Sequence, residues 1–253
     1  ACGTSYHAGL LFSILLQRSG KCAQAFIASD YPSVARPDGN TLVFAISQSG
    51  ETADVLQGLR FASGCRKVAL TNTVGSSITG LCDNVIYMNS GPEIGVAATK
   101  TFTSELGVIS KIIYGKDRLA PVSSLIGNML LLENGIKAVA SKLSACEHAF
   151  FIARGMSVPI AYEGSLKFKE ITYIHSEAYP GGELKHGTLS LISQGTPVIA
   201  LAPDDETTTK LIGNIKESKA RGAFVISLSA NPDAVTESDL SIPLPKDLDP
   251  ALA

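Results

Sequence analysis

Tryptophan is absent from the 253-residue sequence, and aromatic residues make up only 6% of it. No apolar stretch approaches the length of a membrane span, because Lys, Arg or Ser interrupts the longer ones. The net charge is −2 and no basic run occurs, so the electrostatic signature of a nucleic-acid-binding protein is missing. What remains is a globular chain, long enough for one large domain or two ordinary ones.

Cysteine and histidine are also sparse. The five cysteines (2, 22, 65, 82 and 146) contain no CxxC pair, and the four histidines show no ligand spacing. This pattern predicts free thiols in a reducing cytoplasm and no metal centre. No signal peptide precedes Ala1, which is not an initiator Met. Residues 1–5 are typical of a strand end that leads into a helix, so we expect the chain to be part of a longer protein.

Short apolar runs alternate with helical patterns along the whole chain, which predicts parallel sheets covered by helices on both faces. A loop-like stretch at 115–124 predicts two domains, 1–120 and 121–253. The strands are predicted at 24–28, 42–46, 68–71, 85–88, 149–153, 198–202, 224–228 and 241–243. The helices are predicted at 6–17, 51–63, 96–114, 125–142, 160–174 and 207–221.

The two halves share one pattern of strand, loop, helix and strand, at 41–72 and again at 196–228. Such self-similarity indicates two copies of one fold. The loops differ in charge. Ser47-Gln48-Ser49-Gly50 is neutral and rich in hydroxyls, whereas Pro203-Asp204-Asp205 carries two carboxylates that would repel phosphate at a helix N-terminus.

The first of these loops predicts a phosphate site. Unpaired N–H groups and the helix dipole at the start of the following helix attract anions, and small hydroxyl residues add hydrogen bonds. The alternative is a plain helix cap by Ser49. Hydroxyl-rich residues at 3–5 and 71–73 also follow predicted strands, where ligands bind in such sheets. An ordinary turn is favoured for 71–73.

A second group of residues indicates acid–base chemistry. Glu163, Lys167 and Glu170 are spaced i, i+4 and i+7, so they share one helical face. A carboxylate beside a lysine is a plausible general base, although a solvated salt-bridge stripe is the alternative. The positions opposite them are predicted to face the core: Leu166, Ile171 and Tyr173.

Two histidines are further candidates. His186 lies among glycines in a polar segment, where an acid–base role competes with a structural one. His7, in the first turn of a helix beside the hydroxyl loop, could face a ligand.

Four segments, at 1–9, 47–52, 93–97 and 183–187, are similar to the isomerase half of the glucosamine-6-phosphate synthase family. The resemblance covers nearly the whole chain. It implies two sugar-isomerase (SIS) domains, each a flavodoxin-like parallel sheet with helices on both faces. It also implies conversion of fructose 6-phosphate and ammonia to glucosamine 6-phosphate, with no metal or redox cofactor.

The resemblance implies roles for individual residues. Glu170 would move a proton between C1 and C2, and His186 of a neighbouring subunit would assist ring opening in a shared homodimer site. Thr4, Val96 and Lys167 would line the sugar. The phosphate would be held by Ser5, Ser47, Gln48, Ser49 and Thr52.

The resemblance also implies parts that this sequence does not contain. The family has a glutaminase domain with an N-terminal Cys nucleophile, which Cys2 is not, and a C-terminal tail with a Schiff-base lysine. Lys246 is the last lysine here, and the prolines around it predict a stiff connector. Two alternatives stay open at this point: an amino-sugar-phosphate deaminase of the same fold, and a non-catalytic sugar-phosphate-binding module.

Overall fold

The computed structural model describes residues 1–245, so Lys246 and the predicted connector beyond it lie outside the described residues. The chain divides into two compact units, Ala1–Lys116 and Asp117–Ala253. The division falls at Lys116 rather than at residue 120. We describe each unit by itself.

The first unit is built on a three-stranded parallel sheet in the order β1–β2–β3. The strands are β1 (Leu42–Ile46), β2 (Arg66–Thr71) and β3 (Asn84–Tyr87). The helices are α1 (Gly3–Arg18), α2 (Tyr31–Val34), α3 (Ala53–Phe61) and α4 (Lys100–Tyr114). The apolar residues Val55, Leu56 and Leu59 of α3 lie in a core cluster with Ala45 of β1 and Ala69 of β2. This packing fixes the start of α3 at the carboxyl end of β1.

Two predictions for this unit are wrong. Residues 24–28 form no strand. Ala28 N–H donates to the Ala1 carbonyl and Ala1 N donates to Phe26 O, whereas the Ile27 carbonyl accepts from Asp30 and Tyr31 in the turn that leads into α2, so no ladder forms among the described residues. The helix predicted from residue 96 begins only at Lys100. Its start is set by Glu93, whose carboxylate accepts from the backbone N–H of Thr101 at 3.0 Å.

The second unit contains a five-stranded parallel sheet in the order β5–β4–β6–β7–β8. Its strands are β4 (His148–Ala153), β5 (His175–Pro180), β6 (Pro197–Ala202), β7 (Phe224–Ser229) and β8 (Leu240–Pro243). Its helices are α5 (Val122–Leu130), α6 (Glu133–Leu143), α7 (Val158–Thr172), α8 (Thr208–Ala220) and α9 (Pro232–Thr236). Counted within the unit the order is 2-1-3-4-5, which is that of flavodoxin-like folds. The predicted fold class is confirmed.

The repeat is confirmed as well. β1, α3 and β2 correspond to β6, α8 and β7, and both strand pairs are parallel, with Leu42 opposite Arg66 and Pro197 opposite Phe224. The sequence pattern does not predict the strand β5, because polar residues interrupt its apolar ones. In the structure β5 is an edge strand that pairs only with β4. The helix predicted at 125–142 is two helices. Backbone N–H groups of Leu131 and Leu132 bond three residues back and tighten the chain into a turn there.

Within the described residues no helix combines the length and the apolar character that crossing a membrane requires.

Candidate functional site

A cavity of about 140 Å³ opens in the first unit where β1 ends and where α1 and α3 begin. Hydroxyl and amide side chains form most of its wall. Its lining residues are Cys2, Thr4, Ser5, Ile46, Ser47, Gln48, Ser49, Thr52, Ala98, Thr101 and Glu105. Six of the seven residues predicted for substrate binding therefore lie around one cavity, although they come from two segments far apart in sequence, the first turn of α1 and the loop between β1 and α3.

The loop between β1 and α3 presents hydroxyl groups beside an uncapped helix start. Ser47 is buried, and its Oγ lies 3.1 Å from Thr52 Oγ1 and accepts from the backbone N–H of Gly50 at 3.2 Å. Ser49 Oγ accepts from the N–H of Glu51, which precedes the helix, and no side chain of the described residues caps the first turn of α3. The alternative prediction, that Ser49 caps helix α3, is therefore wrong. The first-turn N–H groups keep their capacity to bind an anion.

Gly50 allows the loop to pass close to the turn at Ser77–Gly80. Its φ of +66° is in the left-handed region, and a Cβ at this position would lie 2.7 Å from Ser76 Cβ and 2.8 Å from Ile78 Cγ2. The Gly50 carbonyl accepts from the N–H of Ile78 at 3.0 Å. A side chain would therefore clash with a turn to which the loop backbone is bonded.

The hydroxyl-rich segment after β2 braces the loop from behind. The Gln48 carbonyl accepts from Asn72 N–H at 3.0 Å and from Thr71 Oγ1 at 3.3 Å. Hydrogen bonds from Ser77 hold the carboxylate of Glu51 and lower its pKa. Residues 71–73 are not among those that line the cavity. The ordinary turn favoured for 71–73 fits these contacts.

Helix α4 contributes a further part of the wall, which the sequence analysis does not predict. Thr101 and Glu105, both 1% exposed, lie one helical turn apart and line the cavity. Thr101 Oγ1 donates to Glu93 at 2.6 Å, and Ser5 Oγ donates to Glu105 Oε1 at 2.7 Å. Both residues belong to the i, i+4, i+8 series of buried positions that continues to Ile109. That spacing within a predicted helix was the available signal.

The corresponding loop of the second unit holds its own carboxylate. Asp205 Oδ1 accepts from the backbone N–H of Thr207 at 2.7 Å and from Thr207 Oγ1 at 2.8 Å. Thr208 Oγ1 also donates to Asp205, at 3.4 Å. A carboxylate thus already interacts with the N-terminal end of α8, as the charge contrast between the two loops predicted.

The acid–base candidates of the second unit form one ion-pair cluster on α7. Lys167 Nζ lies 2.5 Å from Glu170 Oε2 and 3.4 Å from Glu163 Oε1. Their side chains are 17%, 31% and 6% exposed in the order Lys167, Glu170, Glu163. The predicted common face is therefore real, and Lys167 bridges two carboxylates.

The predicted orientation of α7 is wrong. Ile171 is 63% exposed and Tyr173 is 91% exposed, whereas Glu163 is buried. Tyr173 adopts a left-handed conformation and ends the helix, so it does not continue the helical face. The charged face is thus the more buried one, which argues against a solvated salt-bridge stripe.

Three other candidates lie apart from these clusters. Val96 is 99% exposed in the segment before α4, and it does not line the cavity. His7 does not line it either. His186 is exposed at the end of a 3₁₀ helix, Gly181–His186, in the second unit.

Comparison with protein families identifies one domain type. A model described as the SIS domain matches residues 1–113 and 142–247. Among curated proteins, glutamine–fructose-6-phosphate aminotransferase (isomerizing) of Sulfurisphaera tokodaii is 45% identical over 254 residues, covering 96% of this chain and 43% of the relative. The protein of the same name from Methanothermobacter thermautotrophicus is 45% identical over 242 residues, covering 92% of this chain and 41% of the relative. The chain therefore spans less than half the length of these relatives.

Solved structures give a closer match in length. The C-terminal domain of glucosamine-fructose-6-phosphate aminotransferase from Francisella tularensis has a TM-score of 0.88 and 34% identity, covering 99% of this chain and 78% of that one. A glucosamine-6-phosphate deaminase from Thermotoga maritima has a TM-score of 0.81 at 24% identity, covering 99% and 78%. At that identity the second likeness supports the fold alone.

Proposed function

Because the chain belongs to the SIS domain family, and within it resembles the C-terminal domain of glucosamine-fructose-6-phosphate aminotransferase, we propose that it isomerises an aminated hexose 6-phosphate. Its substrates are fructose 6-phosphate and ammonia, and its product is glucosamine 6-phosphate. The observation that carries this proposal is the hydroxyl-lined cavity at an uncapped helix start, in a chain with 45% identity to aminotransferases of that name.

In this proposal the first unit holds the phosphate. Ser5, Ser47 and Ser49 supply hydroxyl donors, and the N–H groups at the start of α3 supply more. Gln48 and Thr52 complete the phosphate site, and Thr4 and Val96 line the sugar. Hydrogen bonds from neutral donors suit a phosphate ester that must bind tightly and still leave as product.

In the same proposal Glu170 performs the proton transfer. Ammonia condenses with the C2 carbonyl and releases water, which gives an imine. Glu170 takes a proton from C1, and a proton returns to C2, while the O1 hydrogen passes to nitrogen and C1 becomes the aldehyde. Lys167, 2.5 Å from Glu170 Oε2, holds this carboxylate in one position and lines the sugar. The whole step needs one positioned base.

The reaction also needs an open-chain sugar and a source of ammonia. We propose that His186 of a second copy assists ring opening, which makes the functional unit a homodimer. A glutaminase domain supplies ammonia in the full-length enzyme. The segment carrying His186, exposed at the end of its 3₁₀ helix, is accessible to a second copy.

Calorimetry and proton exchange test the two halves of the proposal. Fructose 6-phosphate should bind, and fructose should bind far more weakly. Glu170→Gln should keep that affinity and lose about 10²–10⁴-fold in solvent deuterium incorporation at C1 or C2 of the sugar phosphate. Glu133→Gln is the matched control, because Glu133 also pairs with a lysine of its own helix, at 2.8 Å, but is 70% exposed.

Two outcomes would contradict the proposal. Equal affinity for fructose and fructose 6-phosphate would remove the phosphate site. Wild-type deuterium exchange in Glu170→Gln would place the base elsewhere.

Mixing of two variants tests the shared site. Glu170→Gln and His186→Asn should each be inactive alone, whereas their mixture should regain about a quarter of the exchange activity if each hybrid dimer keeps one intact site. A mixture as inactive as its components would contradict the contribution of His186 from a second copy.

A further inference from the structure

The proposed phosphate cavity contains a buried carboxylate, which is unexpected for a site that binds an anion. Glu105 lines the cavity, is 1% exposed and accepts the Ser5 hydroxyl at 2.7 Å. None of the described residues that line the cavity is Lys, Arg or His. A phosphate dianion would therefore enter a cavity that contains a carboxyl group and, among its described lining residues, no cationic side chain.

The hydrogen bond between Ser5 and Glu105 determines whether Ser5 can donate to a phosphate. While Glu105 is ionised, it can only accept hydrogen bonds, so the Ser5 hydrogen points to Oε1 and Ser5 offers a lone pair to the cavity. A phosphate oxygen also offers lone pairs only. Ser5 can donate to phosphate only if its hydrogen is released, and a buried carboxylate beside a dianion favours its neutral form.

We propose that Glu105 takes up a proton when a phosphate monoester binds, and that the resulting carboxylic acid donates to Ser5 Oγ, which in turn donates its own hydrogen to a phosphate oxygen. The proton comes from solvent and no covalent bond to the ligand forms. This inference rests on the proposed phosphate site and adds a residue to it. Glu105 is a positioning residue in this scheme, because it acts through Ser5.

Other titrating groups near Glu105 have to be separated from it. The amino group of Ala1 is one of them: burial lowers its pKa, and the charges of Cys2 and Glu105 raise it in smaller part. The Cys2 thiol lines the same cavity. Helix α1, which packs against α4, also carries Tyr6 and His7, and α4 itself carries Lys100 and Lys111.

Calorimetry with fructose 6-phosphate counts the protons. The binding enthalpy is measured in buffers of different ionisation enthalpy between pH 7 and pH 9, where a phosphate ester with a second pKa of about 6 is already a dianion. The wild type should take up close to one proton per ligand in part of this range. Its affinity should fall there by up to about tenfold per pH unit, since a proton bound only in the complex becomes harder to supply.

Glu105→Gln is the decisive variant. Its amide permanently donates to Ser5 and keeps the size of the side chain, so it mimics the proposed bound state. We expect no coupled proton at position 105, an affinity that changes less than twofold over the same pH range, and tighter binding than the wild type at pH 9. Asp30→Asn removes one charge from an exposed position of the same unit that does not line the cavity, and should behave as the wild type.

A second variant tests the path through Ser5. Ser5→Ala removes the hydrogen bond between Ser5 and Glu105. In this background the variants with Glu and with Gln at position 105 should therefore show nearly the same pH dependence of fructose 6-phosphate affinity.

The outcomes separate this inference from the function on which it rests. Proton uptake that persists unchanged in Glu105→Gln would assign the proton to the phosphate or to another group and overturn the proposal. Binding by the wild type without proton uptake would overturn it as well. If neither protein binds fructose 6-phosphate, the proposed phosphate site itself fails.

Discussion

Replacement of Gly50 by alanine tests the geometry of the cavity loop. The native φ of +66° costs an L-residue about 1 kcal/mol. The added Cβ would also lie 2.7 Å from Ser76 Cβ and 2.8 Å from Ile78 Cγ2. Ser76 is 5% exposed and Ile78 is 0% exposed, so neither can move aside without disturbing the core. Overpacking of this kind costs about 1–3 kcal/mol, which gives a total destabilisation of about 3 kcal/mol.

Gly75→Ala is the matched control for this substitution. Gly75 has a similar φ of +73°, but a Cβ there would meet no atom within 4 Å. Only the backbone cost of about 1 kcal/mol applies to it. The difference between the two variants, about 2 kcal/mol, therefore isolates the close approach of the loop to the turn at Ser77–Gly80.

Urea unfolding followed by far-ultraviolet circular dichroism measures the free energy of unfolding of both variants. Amide hydrogen exchange, read in peptides of residues 1–116, assigns the loss to the first unit. The affinity for fructose 6-phosphate should also fall in Gly50→Ala, because the loop carries the donors of the proposed phosphate site. If Gly50→Ala is destabilised no more than Gly75→Ala, the clash is relieved by a small shift and the reasoning from the loop geometry is refuted.

Three further predictions concern Ser49, Lys167 and Glu93. Ser49→Asp should abolish binding of fructose 6-phosphate by charge repulsion, whereas Ser49→Ala should weaken it by no more than the loss of one hydrogen bond, about tenfold; calorimetry that finds both alike would contradict a phosphate beside Ser49. Lys167→Met should destabilise the second unit by about 3 kcal/mol in urea unfolding, because the ammonium 3.4 Å from buried Glu163 is lost, and adding Glu163→Gln should restore part of this stability. If the effects of the two substitutions on the free energy of unfolding simply add, the coupling between Lys167 and Glu163 is contradicted. The hydrogen bond from Thr101 lowers the pKa of Glu93, so this carboxylate stabilises the fold above its ordinary pKa of 4.5, and the stabilisation is lost as the pH falls through the pKa of the folded state. Glu93→Gln should therefore lower the midpoint of urea unfolding at pH 7 but match the wild type in acid, and a difference in midpoint that stays constant with pH would refute this reasoning.

The ion-pair cluster on α7 shows what residue spacing alone can predict about a helix. The spacing of Glu163, Lys167 and Glu170 correctly predicts that one lysine meets two carboxylates, because helical geometry alone fixes which residues share a face. The same pattern could not tell which face is buried. Tertiary packing buries Glu163 and leaves Tyr173 at 91% exposure, since the helix ends there in a left-handed residue.

The positions of most strands and helices and the hydroxyl loop can be read from the sequence, because apolar periodicity and turn residues act within a few residues of the chain. The parallel sheets and the repeat follow from the order in which these local patterns recur. That 24–28 is not a strand could not be read in this way, since strand formation requires a partner ladder. The tertiary structure also decided that β5 forms the edge of the second sheet. The same holds for Glu105, whose contact with Ser5 spans 100 residues of sequence. The helical spacing of Thr101, Glu105 and Ile109 indicates that Glu105 is buried, but only the packing of α1 against α4 brings its carboxylate to Ser5 and to the cavity.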